Sequence, residues 1–170
     1  DAVLYNIELA ELRSNILTEL DLTSREYFLA TVHRPQNTDA PEALSSILSA
    51  FGEMGEIVVF PAHPRTQAAL SYYEFQLPTN VRIVDAVGYL DMLVLEKHAR
   101  LVLTDSGGVQ KEAYWFKVPC VSMRDVTEWV ETVEEGWNVI VGSEPTNIIR
   151  YVQQAQPGSS HQKAYGDGLA

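Results

Sequence analysis

Short runs of apolar residues alternate with longer amphipathic stretches along nearly the whole chain. "YFLATVH" (27–33) is short and dense in apolar and aromatic residues, which predicts a strand buried on both faces. "EIVVFPAH" (56–63), "NVRIVDAV" (80–87), "RLVLTD" (100–105), "PCVSM" (119–123) and "NVIVG" (138–142) predict five more. Helical spacing fills the intervals. Leu9, Leu12, Ile16 and Leu20 predict a helix over about 4–20, and Leu44, Ile47, Leu48 and Phe51 a second one. "RPQNTDAPEA" ahead of that second helix predicts a polar loop whose Asp39 caps the helix, with Pro41 near its start. "TQAALSYYEF", "YLDMLVLEKHA", "VQKEAYWF" and "PTNIIRYVQQAQ" predict the remaining helices. Apolar strands, each handed on to a helix, predict the α/β class: a three-layer, Rossmann-like domain with a mostly parallel sheet. One domain over 1–170 is expected. Residues 157–170, rich in Gly, Ser and other small polar residues, are expected as a loosely ordered tail.

Composition narrows the partners. No apolar run approaches the roughly 20 residues needed to cross a bilayer. "DAVLYNIELAE" shows neither the basic nor the apolar region of a signal peptide. The formal net charge is -11, from 12 Lys and Arg against 23 Asp and Glu, and the basic residues form no cluster. Such a chain repels nucleic acid and anionic membrane, so neither is an expected partner. An anionic ligand would need helix dipoles, backbone amides and a few placed cations. The lone Cys120 allows no internal disulfide and no zinc cluster, and a reducing, cytoplasmic setting is expected.

Candidate chemistry gathers where strands hand over to helices. "LTDSGGVQKEA" (103–113) places Ser106, Gly107 and Gly108 at a predicted strand end. Glycine lets a backbone approach a ligand closely, and the first N–H groups of the following helix suit a phosphate. On the glycine pair alone a strain-relieving turn serves equally well, because neither Walker A nor G-x-G-x-x-G spacing is present. Other strand ends tip the balance: His33 and Arg34 follow one strand, His63 and Arg65 another, and Arg124 a third. Arg124 is a candidate to pair with diphosphate charge and Glu112 to accept from ribose hydroxyls. Taken alone, Glu112 beside Lys111 suits a solvated helix face better. Tyr114, Trp115 and Phe116 read as packing residues, while Trp129 and Trp137 fall in loop-like segments.

Assembled in order, "TVHRPQN", "PAHP", "GYLDML", "LTDSGGVQKEA", "VPCVSMRDVTEWVETVEEGWNVIVG" and "YGDGLA" resemble the non-hydrolysing UDP-N-acetylglucosamine 2-epimerases. The block from 104 to 142 is the specific part. The resemblance implies the C-terminal, nucleotide-binding half of a two-lobed, glycosyltransferase-B-like fold, with an N-terminal lobe and a final helix absent. It implies interconversion of UDP-GlcNAc and UDP-ManNAc by elimination and re-addition of UDP, without metal or organic cofactor. By the same resemblance Ser106, Gly107 and Gly108 form the diphosphate loop, Arg124 contacts the diphosphate and Glu112 binds ribose. Met92 and Val87 lie against the uracil, and His33 sits near the diphosphate and the reaction centre. Arg34 and His63 match a second, activating UDP-GlcNAc site.

Two positions depart from the family's pattern. Gln36 stands where an acidic residue is usual, and "TEWVE" stands for T-E-R-P-E. The catalytic carboxylates belong to the N-terminal lobe, so the isolated chain is expected to bind UDP weakly and catalyse nothing. The longer protein is expected to interconvert nucleotide sugars, with a homodimer as one assembly. The rival readings are a hydrolysing epimerase that releases ManNAc and UDP, a glycosyltransferase of the same two-lobed plan, and a non-catalytic nucleotide-sugar-binding module.

Overall fold

A computed structural model describes residues 2–155 and Gly158. Apart from Gly158, the tail expected at 157–170, with its "YGDGLA" motif, lies outside the described residues. Six strands form one sheet: β1 (Phe28–Thr31), β2 (Val58–Ala62), β3 (Val81–Asp85), β4 (Leu101–Thr104), β5 (Cys120–Ser122) and β6 (Asn138–Ile140). Their order is β3-β2-β1-β4-β5-β6, and every pairing is parallel. The chain therefore builds outward from β1 in one direction, returns, and builds outward from β4 in the other. The crevice between β1 and β4 is the switch point of the sheet, the place where open α/β folds bind ligands.

Alternation along each strand feeds two cores. Phe28 and Ala30 face one side with Leu103, Val121, Phe51 and Ile148, while Leu29 faces the other with Val102, Leu93 and Ala113. Helices α4 (Pro41–Glu53) and α9 (Pro145–Gln154) supply the first core. Helices α1 (Ala2–Arg13), α2 (Ile16–Glu19), α6 (Tyr89–His98) and α7 (Gly107–Trp115) supply the second. Three short helices complete the described chain: α3 (Pro35–Thr38), α5 (Pro64–Tyr72) and α8 (Val130–Glu134). Pro61 is tolerated inside β2 because the pairing of β1 with β2 ends at Leu29 and Val59, before it. Cys120 is buried and free, and burial pushes its thiol up to about 12. Among the described residues no helix is long and apolar enough to cross a membrane.

The local expectations fail in three places. The opening helix is two helices, α1 and α2, separated at Ser14 and Asn15, with the Ser14 hydroxyl donating to Asp91 of α6 at 2.6 Å. Asp39 does not cap α4: the N-cap position is Ala40, and Asp39 instead accepts from the Thr38 hydroxyl at 3.1 Å and pairs with Arg65 at 3.6 Å. The segment read as a loop after His33 contains α3, started by Pro35 at its first turn. Leu103 is fully buried at the centre of the sheet. Leu103→Ala should lower unfolding free energy by about 2–5 kcal/mol, seen as a fall in the urea midpoint at unchanged slope.

Candidate functional site

The carboxyl end of the switch crevice is organised by one buried acid. Asp105, directly after β4, is fully buried. It accepts hydrogen bonds from the backbone N–H of His33 (3.1 Å to each oxygen), the backbone N–H of Arg34 (2.9 Å) and Asn37 Nδ2 (2.9 Å). Asn37 also donates to the carbonyl of Met123 at 3.2 Å, which ties the turn after β1 to the end of β5. One layer below, the paired Thr31 and Thr104 share a hydroxyl hydrogen bond of 2.5 Å, and Thr104 Oγ1 accepts from the Ser106 N–H at 2.9 Å. Burial alone would raise the Asp105 carboxyl. The donors from His33, Asn37 and Arg34 outweigh it and hold the group below the usual aspartate range.

His33 is set by the same acid. Its Nδ1 lies 3.2 Å from Asp105 Oδ1, so an Nδ1–H donates to the carboxylate and Nε2 is left for the cleft. His63 stands beside it with ring centroids 6.0 Å apart, and His63 Nδ1 accepts from the Arg65 N–H to cap the start of α5. His33, His63, Val87, Met92 and Ser106 line one cavity of about 360 Å³, with Val109 at its side. Its wall is mostly apolar near Val87 and Met92 and polar near Ser106. A larger groove of about 650 Å³ lies at the opposite edge, by the first residues of β1 and β4, where Arg100 pairs with Glu56 at 2.5 Å. That is the amino end of the strands, away from the switch-point mouth.

The glycines behave differently from one another. Helix α7 begins at Gly107, two residues earlier than the sequence pattern placed it, so both glycines occupy its first turn. A Cβ on Gly107 would collide with the Glu128 carboxylate and come within 3.3 Å of Trp129 Nε1. A Cβ on Gly108 would meet only Ser106 Oγ, at 3.9 Å, and would otherwise project into open space over the helix start. Arg124, largely buried, donates from Nη1 to Glu128 Oε2 at 2.8 Å. The Glu128 backbone N–H, the Arg124 bond and the charges of Arg124 and Arg34 hold the Glu128 carboxyl below its ordinary range against a burial effect. Arg34 and Arg124 line a second, smaller cavity of about 190 Å³ together with Asn37 and Ser143. Arg34 and His63, matched above to a single second site, thus line separate cavities.

A buried amide network holds the segment carrying Arg124. Gln110 Oε1 accepts from the Thr127 hydroxyl (2.6 Å) and Asn138 Nδ2 (3.0 Å), and Asn138 Oδ1 accepts from the Ser122 hydroxyl (2.6 Å). Trp129 forms the N-cap position of α8, and its ring lies under the Lys111 ammonium at 4.8 Å. Trp137 is buried immediately before β6. Among the described residues no group of three or more His, Cys, Asp or Glu side chains is placed to hold a metal ion.

The sequence profile of the UDP-N-acetylglucosamine 2-epimerase family matches residues 1–170. The chain belongs to the UDP-N-acetylglucosamine 2-epimerase family. It is 45% identical, over 99% of its length and 49% of the relative's, to a UDP-N-acetylglucosamine 2-epimerase homolog of Methanococcus maripaludis. It is 48% identical, over 89% of its length and 44% of the relative's, to the UDP-2,3-diacetamido-2,3-dideoxy-D-glucuronate 2-epimerase of Pseudomonas aeruginosa. The fold superposes with a TM-score of 0.81 and 36% identity on the Methanocaldococcus jannaschii UDP-GlcNAc 2-epimerase in complex with UDP-GlcNAc and UDP, covering 95% of this chain and 49% of that one. The chain thus spans about half the length of these family members, and its Rossmann-like sheet corresponds to one half of their glycosyltransferase-B-like fold.

Within this epimerase-family half, Glu112 is not on a solvated face. Its Oε1 accepts from the Tyr89 hydroxyl at 3.1 Å, and its carboxyl lies within hydrogen-bonding reach of Glu96. Glu96 is fully buried in α6, and among the described residues no donor reaches either of its oxygens. Asp105, Asn37, Glu96 and Glu128 were not singled out as site residues from sequence. A signal existed for Glu96, which falls three residues after Leu93 and four after Met92 on the buried side of its helix.

Asp105→Asn would turn an amide donor toward groups that themselves donate, leaving at least one without an acceptor. At neutral pH it should cost about 1–3 kcal/mol of stability. Because the folded carboxyl sits below its ordinary value, this contribution is present above the unfolded aspartate range and is lost as pH falls through the folded one. Urea midpoints of wild type and variant should therefore separate at pH 7 and converge in acid.

Proposed function

We propose that this chain is the UDP-binding half of an enzyme that epimerises C2 of a UDP-N-acetylhexosamine, interconverting UDP-GlcNAc and UDP-ManNAc without net hydrolysis. The observation that carries the reading is one cavity whose lining runs from an apolar slot (Val87, Met92) to Ser106 and Val109, the residues that flank the side-chain-free helix start at Gly108. A flat uracil suits the slot and an anionic diphosphate the helix start. Glu112, between them on α7, accepts from the ribose hydroxyls. Ser106 and the first N–H groups of α7 hold the diphosphate, and Arg124 leaves Glu128 to face it. The carboxylate over Gly107 therefore marks where phosphate charge arrives.

The chemistry assigned to this half is leaving-group chemistry. UDP departs as the C1–O bond breaks, and the negative charge that builds on the diphosphate is met by Arg124, the α7 start and His33. Asp105 accepts from His33 Nδ1–H and so orients the ring with Nε2 toward the departing oxygen, to which it donates when the imidazole carries its second proton. Removal and return of the C2 proton require carboxylates from a second, N-terminal lobe, with which this half closes the cleft. Arg34, in the smaller cavity, is assigned to a second, activating nucleotide-sugar site, while His63 lines the cavity assigned to UDP. A second reading follows from the Pseudomonas relative: the same half serves a UDP-linked diacetamido-uronate, since uracil, ribose and diphosphate are common to both substrates. Product analysis with the longer protein decides among these sugars, and release of a free sugar with UDP would instead mark the hydrolysing type.

Titration of this chain with UDP and with uridine tests the placement. Arg124→Ala should weaken UDP by about ten- to hundredfold, the loss of one charged hydrogen bond, and leave uridine unchanged. Equal weakening of both would remove Arg124 from the phosphates. Gly108→Leu should leave the urea midpoint nearly unchanged, because the new side chain enters open space, and should abolish UDP binding measured by calorimetry. Epimerisation by this chain with no second lobe added would contradict the division of labour.

A further inference from the structure

The pairing of α6 with α7 contains a problem in hydrogen-bond accounting. Glu96 is completely buried, and among the described residues no donor meets either of its oxygens. An ionised carboxylate left in that state would be costly. The polar group beside it is the Glu112 carboxyl, itself an acceptor once ionised and already receiving the Tyr89 hydroxyl at 3.1 Å. Two carboxylates in contact form a hydrogen bond only when a proton lies between them. The other titratable groups that sense Glu96 are Tyr89 on its own helix, Tyr27 ahead of β1 and Cys120 on β5, and none of them brings positive charge.

We propose that Glu96 is a protonated positioning residue whose O–H donates to the Glu112 carboxylate and, with the Tyr89 hydroxyl, fixes the carboxylate orientation that selects a nucleotide with a free ribose diol. The proposal rests on the reading of Glu112 as the ribose acceptor. Burial first, and then the charge of Glu112, hold the Glu96 carboxyl well above its ordinary range, so the buried member of the pair keeps the proton. Burial raises the Glu112 carboxyl as well, but it is less buried than Glu96 and the Tyr89 and Glu96 hydrogen bonds lower it, so Glu112 keeps the charge. The pair carries a single negative charge close to a site for an anion, which is less repulsive than two. Tyr89 completes the clamp from the exposed side, its hydroxyl pushed up to about 12 by burial and then by Glu112, so it remains a donor throughout the neutral range.

The test compares UDP with 2′-deoxy-UDP by calorimetry on the 170-residue chain, wild type against Glu112→Ala, Glu96→Leu and Glu96→Gln. Wild type should favour UDP by about tenfold or more, one charged hydrogen bond, and Glu112→Ala should bring the ratio close to one. Glu96→Leu should cut the ratio severalfold while leaving 2′-deoxy-UDP affinity in place. Glu96→Gln, whose amide still donates to Glu112, should restore it. A wild-type ratio in Glu96→Leu overturns the positioning role. A wild-type ratio in Glu112→Ala overturns the ribose reading instead. Infrared difference spectra of wild type against Glu96→Gln near neutral pH supply a readout independent of nucleotide. The carbonyl band of a protonated carboxylic acid should be present in wild type and missing in the variant, and its absence from wild type overturns the proposal even where Glu96→Leu does not fold.

Discussion

A single buried carboxylate, Asp105, holds the two halves of the sheet in register at the one place where the chain changes direction. Parallel strands on either side of a switch point are joined by backbone ladders, but the loops beyond those ladders have no such partner. Asp105 supplies one. Four donors after β1, two backbone N–H groups, the His33 ring and the Asn37 amide, converge on it and tie the end of β1 to the start of α7. Desolvating an acid is expensive, and what makes this burial tolerable is that the acceptors are met by backbone N–H groups and an amide rather than by an isolated cation. The geometry of His33 is a by-product of that arrangement, because the imidazole and the backbone N–H of the same residue address the same carboxylate.

Around this anchor the site is acidic in overall composition and locally suited to anions. A chain of net charge -11 cannot attract a diphosphate by its mean field. An anion would instead meet the oriented dipoles at the first turn of α7 and the guanidinium of Arg124. The acids that would repel an anion are handled individually. Asp105 is saturated with donors, Glu128 is held by Arg124, and the Glu96 carboxyl beside Glu112 is held well above its ordinary range by burial and then by the charge of Glu112. Local arrangement, not net charge, decides which ions approach.

Most of the scaffold was readable from periodicity because parallel strands buried on both faces leave an apolar signature that little else imitates. The six strands, the helix after the glycines and the meeting of His33 and Ser106 at one mouth follow from it, whereas Val87 came only from the family resemblance. The misses share a cause. Asp105 looks like any polar residue closing a strand; its role depends on donors about 70 residues away in sequence. Glu96 was passed over as a helix charge because its counterpart lies on the next helix and is itself an acid. Asp39 had the right residue type and spacing for a cap, but Pro35 starts a short helix earlier and Arg65 draws the side chain elsewhere. Local pattern reports the element, and the pairing of side chains across elements is what it leaves out.

The donors at the mouth of α7 are main-chain groups, so they are indifferent to the lettering of the helix that carries them. Val109 and Lys111 can drift while the N–H array stays put, provided Gly108 remains bare. Length is another matter. One residue gained or lost between Thr104 and Val109 would turn every later position of α7 by about 100°, swinging Gln110 out of its amide network and Glu112 away from Tyr89. Descent with modification at this corner is therefore permissive toward exchange and intolerant of insertion.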